Sequence, residues 1–199
     1  MKTARQQELF RSHAGRPRGT RVSHAARPRF ARRAPVHVTL RVRNTVWNLR
    51  SGRSFRRIRS AFEKARGRFG MRLIHFSVQG NHLHLIVEAD DNDALTRGMQ
   101  GLCIRIAKAL NSMMESRGRV FDDHYFARLL HTPSELVNAI AYVLHNHVHH
   151  YGEDQPGVDP YSSASTEGQA VLLEPRTWLL RVGWRRAKHV PRWMALERC

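Results

Sequence analysis

The sequence predicts an α+β domain in which an antiparallel sheet carries helices on one face. From Pro35 to Arg43, apolar and polar residues alternate strictly, as is typical of a half-buried strand. Two more apolar strands, "MRLIHFSV" and "HLHLIVEA", are separated by the tight Gly80-Asn81 connection of a hairpin. Segments with helical spacing precede and follow this hairpin. The resulting order of strand, helix, two strands, helix, strand and helix is typical of such a sheet.

Spacing and capping signals predict the helices and the fourth strand. Apolar side chains recur at helical intervals over residues 54–66, which predicts the first helix. Asp91 or Asp93 is expected to cap a long helix that ends near residue 116. A strand is predicted within residues 119–132. Ser134 is expected to cap the last helix, which ends near residue 150.

The charge of the chain indicates a polyanionic partner. The 199 residues include 34 Lys and Arg against 16 Asp and Glu, a formal net charge of +18. Nucleic acid is the commonest polyanion that such proteins bind. No segment is apolar for the roughly 18 residues that a span requires, and no signal-peptide pattern begins the sequence, so we expect no membrane partner. Two cysteines suggest no disulfide framework, which predicts a cytoplasmic protein.

Basic residues are most concentrated before the first strand. Residues 1–35 hold ten Lys and Arg residues and a single acid, Glu8, so this segment cannot bury enough apolar surface to fold alone. Arg16 and Arg18 lie in "AGRPRGTR", which is similar to arms that enter a minor groove, although frequent arginine leaves a chance match open. We therefore divide the chain into a flexible DNA-binding arm (1–34), a central folded domain (35–152) and a basic C-terminal extension (153–199).

Two histidines, His82 and His84, begin the third strand one residue apart. Residues i and i+2 of a strand share a face, so both imidazoles project from the polar side while Leu83 points into a core. In a two-residue hairpin, Gln79 would lie opposite His82, and Ser77 opposite His84. Two imidazoles this close can bind one cation. A polar sheet face without a metal is the alternative that the pattern leaves open.

The last predicted helix adds a tyrosine and an asparagine. Tyr142 and Asn146 in "YVLHN" are four residues apart and are therefore neighbours on one helical face. A phenol can act as a nucleophile, and an amide oxygen is a neutral metal ligand. For Tyr142 alone, a half-buried surface aromatic is the alternative. His145 and His149 form an i, i+4 pair, which leaves a zinc site or a basic, DNA-facing helix end open.

His-x-His on a strand, followed by Tyr-x-x-x-Asn on a later helix, resembles the REP-associated tyrosine transposases, a group within the single-tyrosine HUH transposases. The likeness extends along nearly the whole chain, including "APVHVTLRVR", "HFSVQGNHLHLIVEADD", "RGRVFDDHYFARLLHTP" and "DPYSSA". Many relatives have a proline where this chain has Gln79-Gly80, and Asn-Pro where it has Asn146-His147. Neither departure removes a chemical group. The resemblance implies a ferredoxin-like fold of the HUH endonuclease type, with residues 35–152 as its catalytic domain.

The resemblance also implies roles for individual residues. It makes Tyr142 the nucleophile, and His82, His84 and Asn146 the ligands of a divalent cation, Mg²⁺ or Mn²⁺. Mixed imidazole and amide ligation suits these metals, whereas a closed zinc site would want four protein ligands. Attack on a phosphodiester would leave a 5′-phosphotyrosine and a free 3′-hydroxyl that can rejoin strands. The sequence contains no evident group to deprotonate the phenol.

The implied substrate is a palindromic repeat folded as a single-stranded hairpin. Arg41 and Arg43, on the outer face of the first strand, join Arg16 and Arg18 as candidate DNA contacts. Tyr125 either stacks on an unpaired base or belongs to the core or an edge strand.

We expect a monomer associated with the nucleoid, although no residue pattern determines the oligomeric state or the repeat sequence. Two other functions stay open. One is a domesticated, non-catalytic protein that binds hairpins to regulate or organise repeats. The other is a basic RNA-binding protein without catalysis.

Overall fold

The computed structural model describes residues 29–151, 158–191 and 194, with side chains up to residue 145 in the last long helix. Four strands form one antiparallel sheet in the order β2-β3-β1-β4. The strands are β1 (Ala34–Arg41), β2 (Met71–Val78), β3 (His82–Ala89) and β4 (Phe126–Leu129). The predicted α+β class and the order of its elements are confirmed.

Three long helices alternate with these strands. They are α1 (Gly52–Ala65), α2 (Asn92–Met114) and α3 (Pro133–Tyr151), and two short helices follow, α4 (Thr166–Gln169) and α5 (Trp178–Arg181). Asp91 is the residue that caps α2, since its side chain accepts a hydrogen bond of 2.7 Å from the backbone N–H of Ala94. No helix of the described residues is long and apolar enough to cross a membrane.

The cap of α3 differs from the prediction, because Thr132 and not Ser134 occupies that position. The backbone N–H of Glu135 donates to Thr132 Oγ1 (3.2 Å), and Glu135 Oε2 accepts in return from the N–H groups of Thr132 and His131. Pro133 begins the helix, where its missing N–H costs nothing. The four residues Thr-Pro-Ser-Glu thus form a reciprocal capping box, a pattern that the sequence contained.

One face of the sheet, called the helical face here, is sealed by α1 and α2. Inward side chains of all four strands pack there against apolar residues of the two helices. Val38 and Leu85, which are paired across β1 and β3, are fully buried in this core, as are Ile58 of α1 and Met99 of α2. This apolar layer fixes which alternate residues of each strand project from the opposite side.

The opposite face, called the site face here, carries His37, Thr39, His82 and His84 and is only partly covered. Helix α3 packs on it over β2 and β3, where Ile74 and Ile86 join a second apolar core with the inner side of α3. Residues of α5 and the turn that follows it extend this core. Helices therefore lie on both sides of the sheet, whereas the sequence predicted helices on one face only. The site face is open toward β4 and the Arg41 end of β1, where Thr39 is partly exposed and Phe126 is exposed.

The segment from residue 158 onward is attached to the hairpin end of the sheet. Arg50 donates two hydrogen bonds of 2.9 Å to the buried carboxylate of Asp159, and a third to the carbonyl oxygen of Val78. Tyr161 packs its ring 4.5 Å from the same guanidinium. A buried ion pair with further hydrogen bonds orients its partners, since leaving either charge unpaired would be costly. This contact ties the loop before α1 and the segment after residue 158 to the end of β2.

Candidate active site at the boundary of the sheet face

His82 and His84 lie side by side on the site face, as predicted. Their rings are 4.8 Å apart between centroids and stand at 89° to each other. The predicted hairpin register is confirmed: Ser77 is the cross-strand partner of His84, and the N–H of Gln79 donates to the carbonyl oxygen of His82 (2.8 Å). The two imidazoles therefore sit at the end of β3, next to the hairpin turn.

Helix α3 brings Tyr142 to these histidines. The Tyr142 ring lies 5.1 Å from the His84 ring at 83°, and 6.0 Å from the His37 ring. Val143 and Leu144 face the second core, while Tyr142 keeps 43% of its surface exposed. The predicted nucleophile is thus both adjacent to the histidine pair and accessible to a large substrate.

Asn146 lies one helical turn after Tyr142 in α3. Its side chain falls outside the part of the structure that is described, so its place as a metal ligand stays a prediction. The side chain of His149 also falls outside the described part, so the alternative zinc site of His145 and His149 stays a prediction as well.

Two further site residues, His37 and Thr39 on β1, were not singled out from the sequence. Thr39 is the cross-strand partner of His84, and its Oγ1 lies 3.2 Å from His84 Nδ1. His37 Nε2 lies 3.3 Å from the same nitrogen. Burial lowers the pKa of His37 to about 4, with the charge of Arg128 as a smaller cause, so this imidazole is neutral at neutral pH. Neutral His37, through Nε2, and the Thr39 hydroxyl are both placed to accept a hydrogen bond from His84 Nδ1–H.

These hydrogen bonds suit a metal site. His82 Nδ1 lies 2.8 Å from Asn81 Oδ1, so both histidines have an acceptor beside Nδ1. When Nδ1–H donates, Nε2 keeps its lone pair for a metal, and such partners are typical of metal-ligating histidines. Gln79 adds a buried amide: its Nε2 lies 2.6 Å from Ser77 Oγ, whereas no described residue donates to its Oε1.

A buried amide oxygen without a hydrogen-bond donor is costly, so a water molecule or a cation with its bound water would stabilise Gln79 Oε1. Within the described ranges, no group of three or more His, Cys, Asp or Glu side chains could hold a metal ion. The candidate donors beside the hairpin turn are the imidazoles of His82 and His84 and the amide of Gln79, and their binding of Mg²⁺ or Mn²⁺ stays a prediction.

The predicted DNA-binding arginines have different positions. Arg41 is exposed at the end of β1 and is the cross-strand partner of His82, so it borders the histidine pair. Arg43 is exposed two residues later, with its backbone N–H bonded to the carbonyl oxygen of Val120. Arg16 and Arg18 lie outside the described residues. Tyr125 is 9% exposed and belongs to the core of the helical face. Of the two roles expected for it, the structure therefore shows the core residue and not the base-stacking one.

Comparisons with known proteins bear on the family and the fold of this chain. Residues 32–146, more than half of the chain, match the family described as "Transposase IS200 like". A search of curated proteins finds no match. Among solved structures, the fold resembles a REP-associated tyrosine transposase bound to a REP hairpin, with a TM-score of 0.60 at 15% identity over 71% of this chain and 82% of that one.

A second solved structure is a candidate transposase from Deinococcus radiodurans R1. It has a TM-score of 0.41 at 11% identity, over 56% of this chain and 87% of that one. The likeness to the first structure establishes the fold, and the family match covers the segment that carries His82, His84 and Tyr142. The chain is therefore a member of the IS200-like transposase family.

Proposed function

We propose that this transposase nicks and rejoins single-stranded DNA at palindromic repeat hairpins, through a covalent bond to Tyr142. The observation that carries the proposal is the meeting of an exposed phenol with two histidines. Tyr142 comes from a helix and His84 from a strand, yet their rings are 5.1 Å apart. An exposed nucleophile next to a pair of potential cation ligands is an arrangement suited to phosphoryl transfer to a protein side chain.

In the proposed reaction, the phenolic oxygen of Tyr142 attacks the scissile phosphorus. The bond between phosphorus and the 3′-oxygen breaks, which leaves a 5′-phosphotyrosine and a free 3′-hydroxyl. The phenolic proton is released as the new ester forms, and the leaving 3′-oxygen takes up a proton. The reverse attack by a 3′-hydroxyl rejoins the strands. The phosphoester to Tyr142 conserves the bond energy, so rejoining needs no nucleoside triphosphate.

His82, His84 and Asn146 would hold the divalent cation in this proposal. A bound Mg²⁺ or Mn²⁺ polarises the phosphate oxygens and offsets the charge that develops on them. Thr39 and His37 are positioning residues, because they orient His84 through its Nδ1. The open half of the site face leaves room for the strand that carries the phosphate.

A hairpin substrate is supported by charge and by fold likeness. The structurally similar REP-associated transposase is bound to a REP hairpin. A net charge of +18 favours contacts to the phosphates of a folded strand. Arg41 is exposed beside the histidine pair and Arg43 is exposed two residues later, and we propose that the arm, with Arg16 and Arg18, contacts the stem.

A cleavage assay on single-stranded repeat DNA with Mn²⁺ tests the proposal. Tyr142→Phe is expected to abolish cleavage and the covalent adduct while hairpin binding stays nearly intact, because only a hydroxyl is removed. Tyr161→Phe is the matched control, since this tyrosine packs against Arg50 away from the site. A covalent adduct that persists in Tyr142→Phe would overturn the assignment. Wild-type protein that binds hairpins without cutting any would establish the domesticated, non-catalytic function instead.

A further inference from the structure

One row of side chains crosses all four strands on the site face. Ser77 is paired with His84, His84 with Thr39, and Thr39 with Phe126 of β4. Adjacent strands are about 4.8 Å apart, so Phe126 lies about 10 Å from His84 along this row. The row thus leads from the histidine pair to the free edge of the sheet.

Phe126 is the end of this row and is exposed. Half of its surface, 51%, is accessible to solvent, whereas its neighbours Tyr125 and Ala127 point to the helical face and are buried. Arg128 follows on the same face of β4, with 60% of its side chain exposed, and Arg41 is the diagonal neighbour on β1. A large aromatic ring is therefore presented to solvent between two arginines.

We propose that Phe126 is a stacking platform for an unpaired base of the DNA strand next to the scissile phosphate, with Arg41 and Arg128 contacting the flanking phosphates. This subsite deepens the proposed function and rests on it for the position of the phosphate. A base offers a π-face to an aromatic ring whatever its sequence, and arginines beside the ring suit the backbone.

The composition of the open face argues for a nucleic acid strand rather than a protein partner. A large exposed apolar patch is a common mark of a protein docking surface. Here the described neighbours of Phe126 on this face of the sheet are Thr39, His37, Arg41 and Arg128, all polar or charged. Helix α3 covers β2 and β3 and reaches β1 at His37, where Tyr142 lies, so a strand lying over Thr39 and Phe126 would pass directly beside Tyr142.

The test is the affinity of full-length variants for a fluorescent oligo(dT) strand and for a blunt DNA duplex, measured by anisotropy. Phe126→Ala is expected to weaken oligo(dT) binding about tenfold, the effect of losing one stacked base. Phe126→Leu should lose as much because it keeps apolar bulk without a π-face, and Phe126→Trp should retain affinity. Duplex binding should change in none of them, because paired bases are not available to the ring.

The control variant is Phe69→Ala. Phe69 is also an exposed phenylalanine beside an arginine, 43% exposed and 5.1 Å from the guanidinium of Arg97, but it lies next to α2. Oligo(dT) affinity that is unchanged in Phe126→Ala, or lowered equally in Phe69→Ala, would refute the platform. Tighter binding of oligo(rU) than of oligo(dT) would assign it to RNA. Failure of wild-type protein to cleave would refute the proposed chemistry alone, because these affinities do not depend on cleavage.

Discussion

The two faces of the sheet are formed by alternate residues of the same strands, yet they are covered in different ways. Val38 and Leu85 on the helical face are completely buried beneath α1 and α2. Thr39 and Phe126, each next in the chain to a buried residue, project on the site face and keep part of their surface. The helical face is buried on all four strands, whereas the site face is buried only where α3 covers it and elsewhere leaves polar groups accessible on a rigid support.

The candidate site lies at the boundary between the covered and open halves of the site face. His82 and His84 belong to the sheet, while Tyr142 belongs to the helix that covers half of it. A phosphate could therefore be reached by groups from two elements at once. The difference predicts that substitutions of the polar residues on the site face alter metal binding and chemistry, and that substitutions on the helical face alter folding.

The largest expected effect is that of the histidine pair. His82→Ala or His84→Ala should remove divalent-dependent cleavage and weaken Mn²⁺ binding more than Asn146→Ala does, because an imidazole is a stronger donor than an amide oxygen. Mn²⁺ affinity can be measured by electron paramagnetic resonance, with His131→Ala, an exposed histidine before α3, as control. Undiminished Mn²⁺ affinity in the double variant His82→Ala/His84→Ala would count against this site.

On the helical face, Leu85→Ala should reduce the free energy of unfolding by about 2–5 kcal/mol, because a completely buried side chain is replaced by a cavity. Urea unfolding measures this loss. If Leu85→Ala destabilised the protein no more than a substitution of exposed Phe126, the contrast between the two faces would be wrong.

Thr39→Val is expected to have a smaller and different effect. The two side chains have the same shape, but valine cannot accept a hydrogen bond from His84 Nδ1. We expect Mn²⁺ affinity to fall about tenfold, as for other partners of metal-ligating histidines, with little change in stability. Thr45→Val, in the exposed loop after β1, is the control. Equal Mn²⁺ affinities for Thr39→Val and wild type would leave His84 to be oriented by His37 alone.

The smallest expected effect concerns the capping box of α3, which supports Tyr142 from a distance. The N–H of His131, followed by other partners including Arg128, lowers the pKa of Glu135. A lowered folded-state pKa means that its contribution is present at neutral pH and lost as pH falls through that pKa. Glu135→Gln should cost at most about 1 kcal/mol at neutral pH.

Thermal unfolding at neutral and acidic pH measures this difference. Protonation removes the charge in the wild type but changes nothing at a glutamine, so the two proteins should converge in acid. A difference in stability that is the same at both pH values would show that charge plays no part in this cap.

Local sequence patterns were sufficient for most elements of the fold. Strict alternation identified β1, and two apolar segments joined by Gly80-Asn81 identified the hairpin and predicted the observed pairing of Ser77 with His84. These predictions succeed because the faces of a strand and the register of a tight hairpin depend on neighbouring residues. The prediction that Ser134 caps α3 was wrong, although the correct cap was also visible in the local sequence. The capping box from Thr132 to Glu135 indicated the helix start better than Ser134 did.

The composition of the site was predicted only in part. His82, His84 and Tyr142 were named from the sequence, but Thr39 and His37 were not, because they approach His84 only through the pairing of β1 with β3, which are about 45 residues apart in sequence. No local pattern states which strand lies beside which.

The sequence by itself determined which side chains share a face, because the two-residue and 3.6-residue periods come from backbone geometry. Only the tertiary structure decided that α3 covers β2 and β3, that Tyr142 reaches His84, and that Phe126 rather than Tyr125 faces the open side. Those outcomes depend on packing between segments that are far apart in the chain. Several arrangements of the helices and strands satisfy the local conformational preferences equally well, and the one that buries the most apolar surface is the most stable.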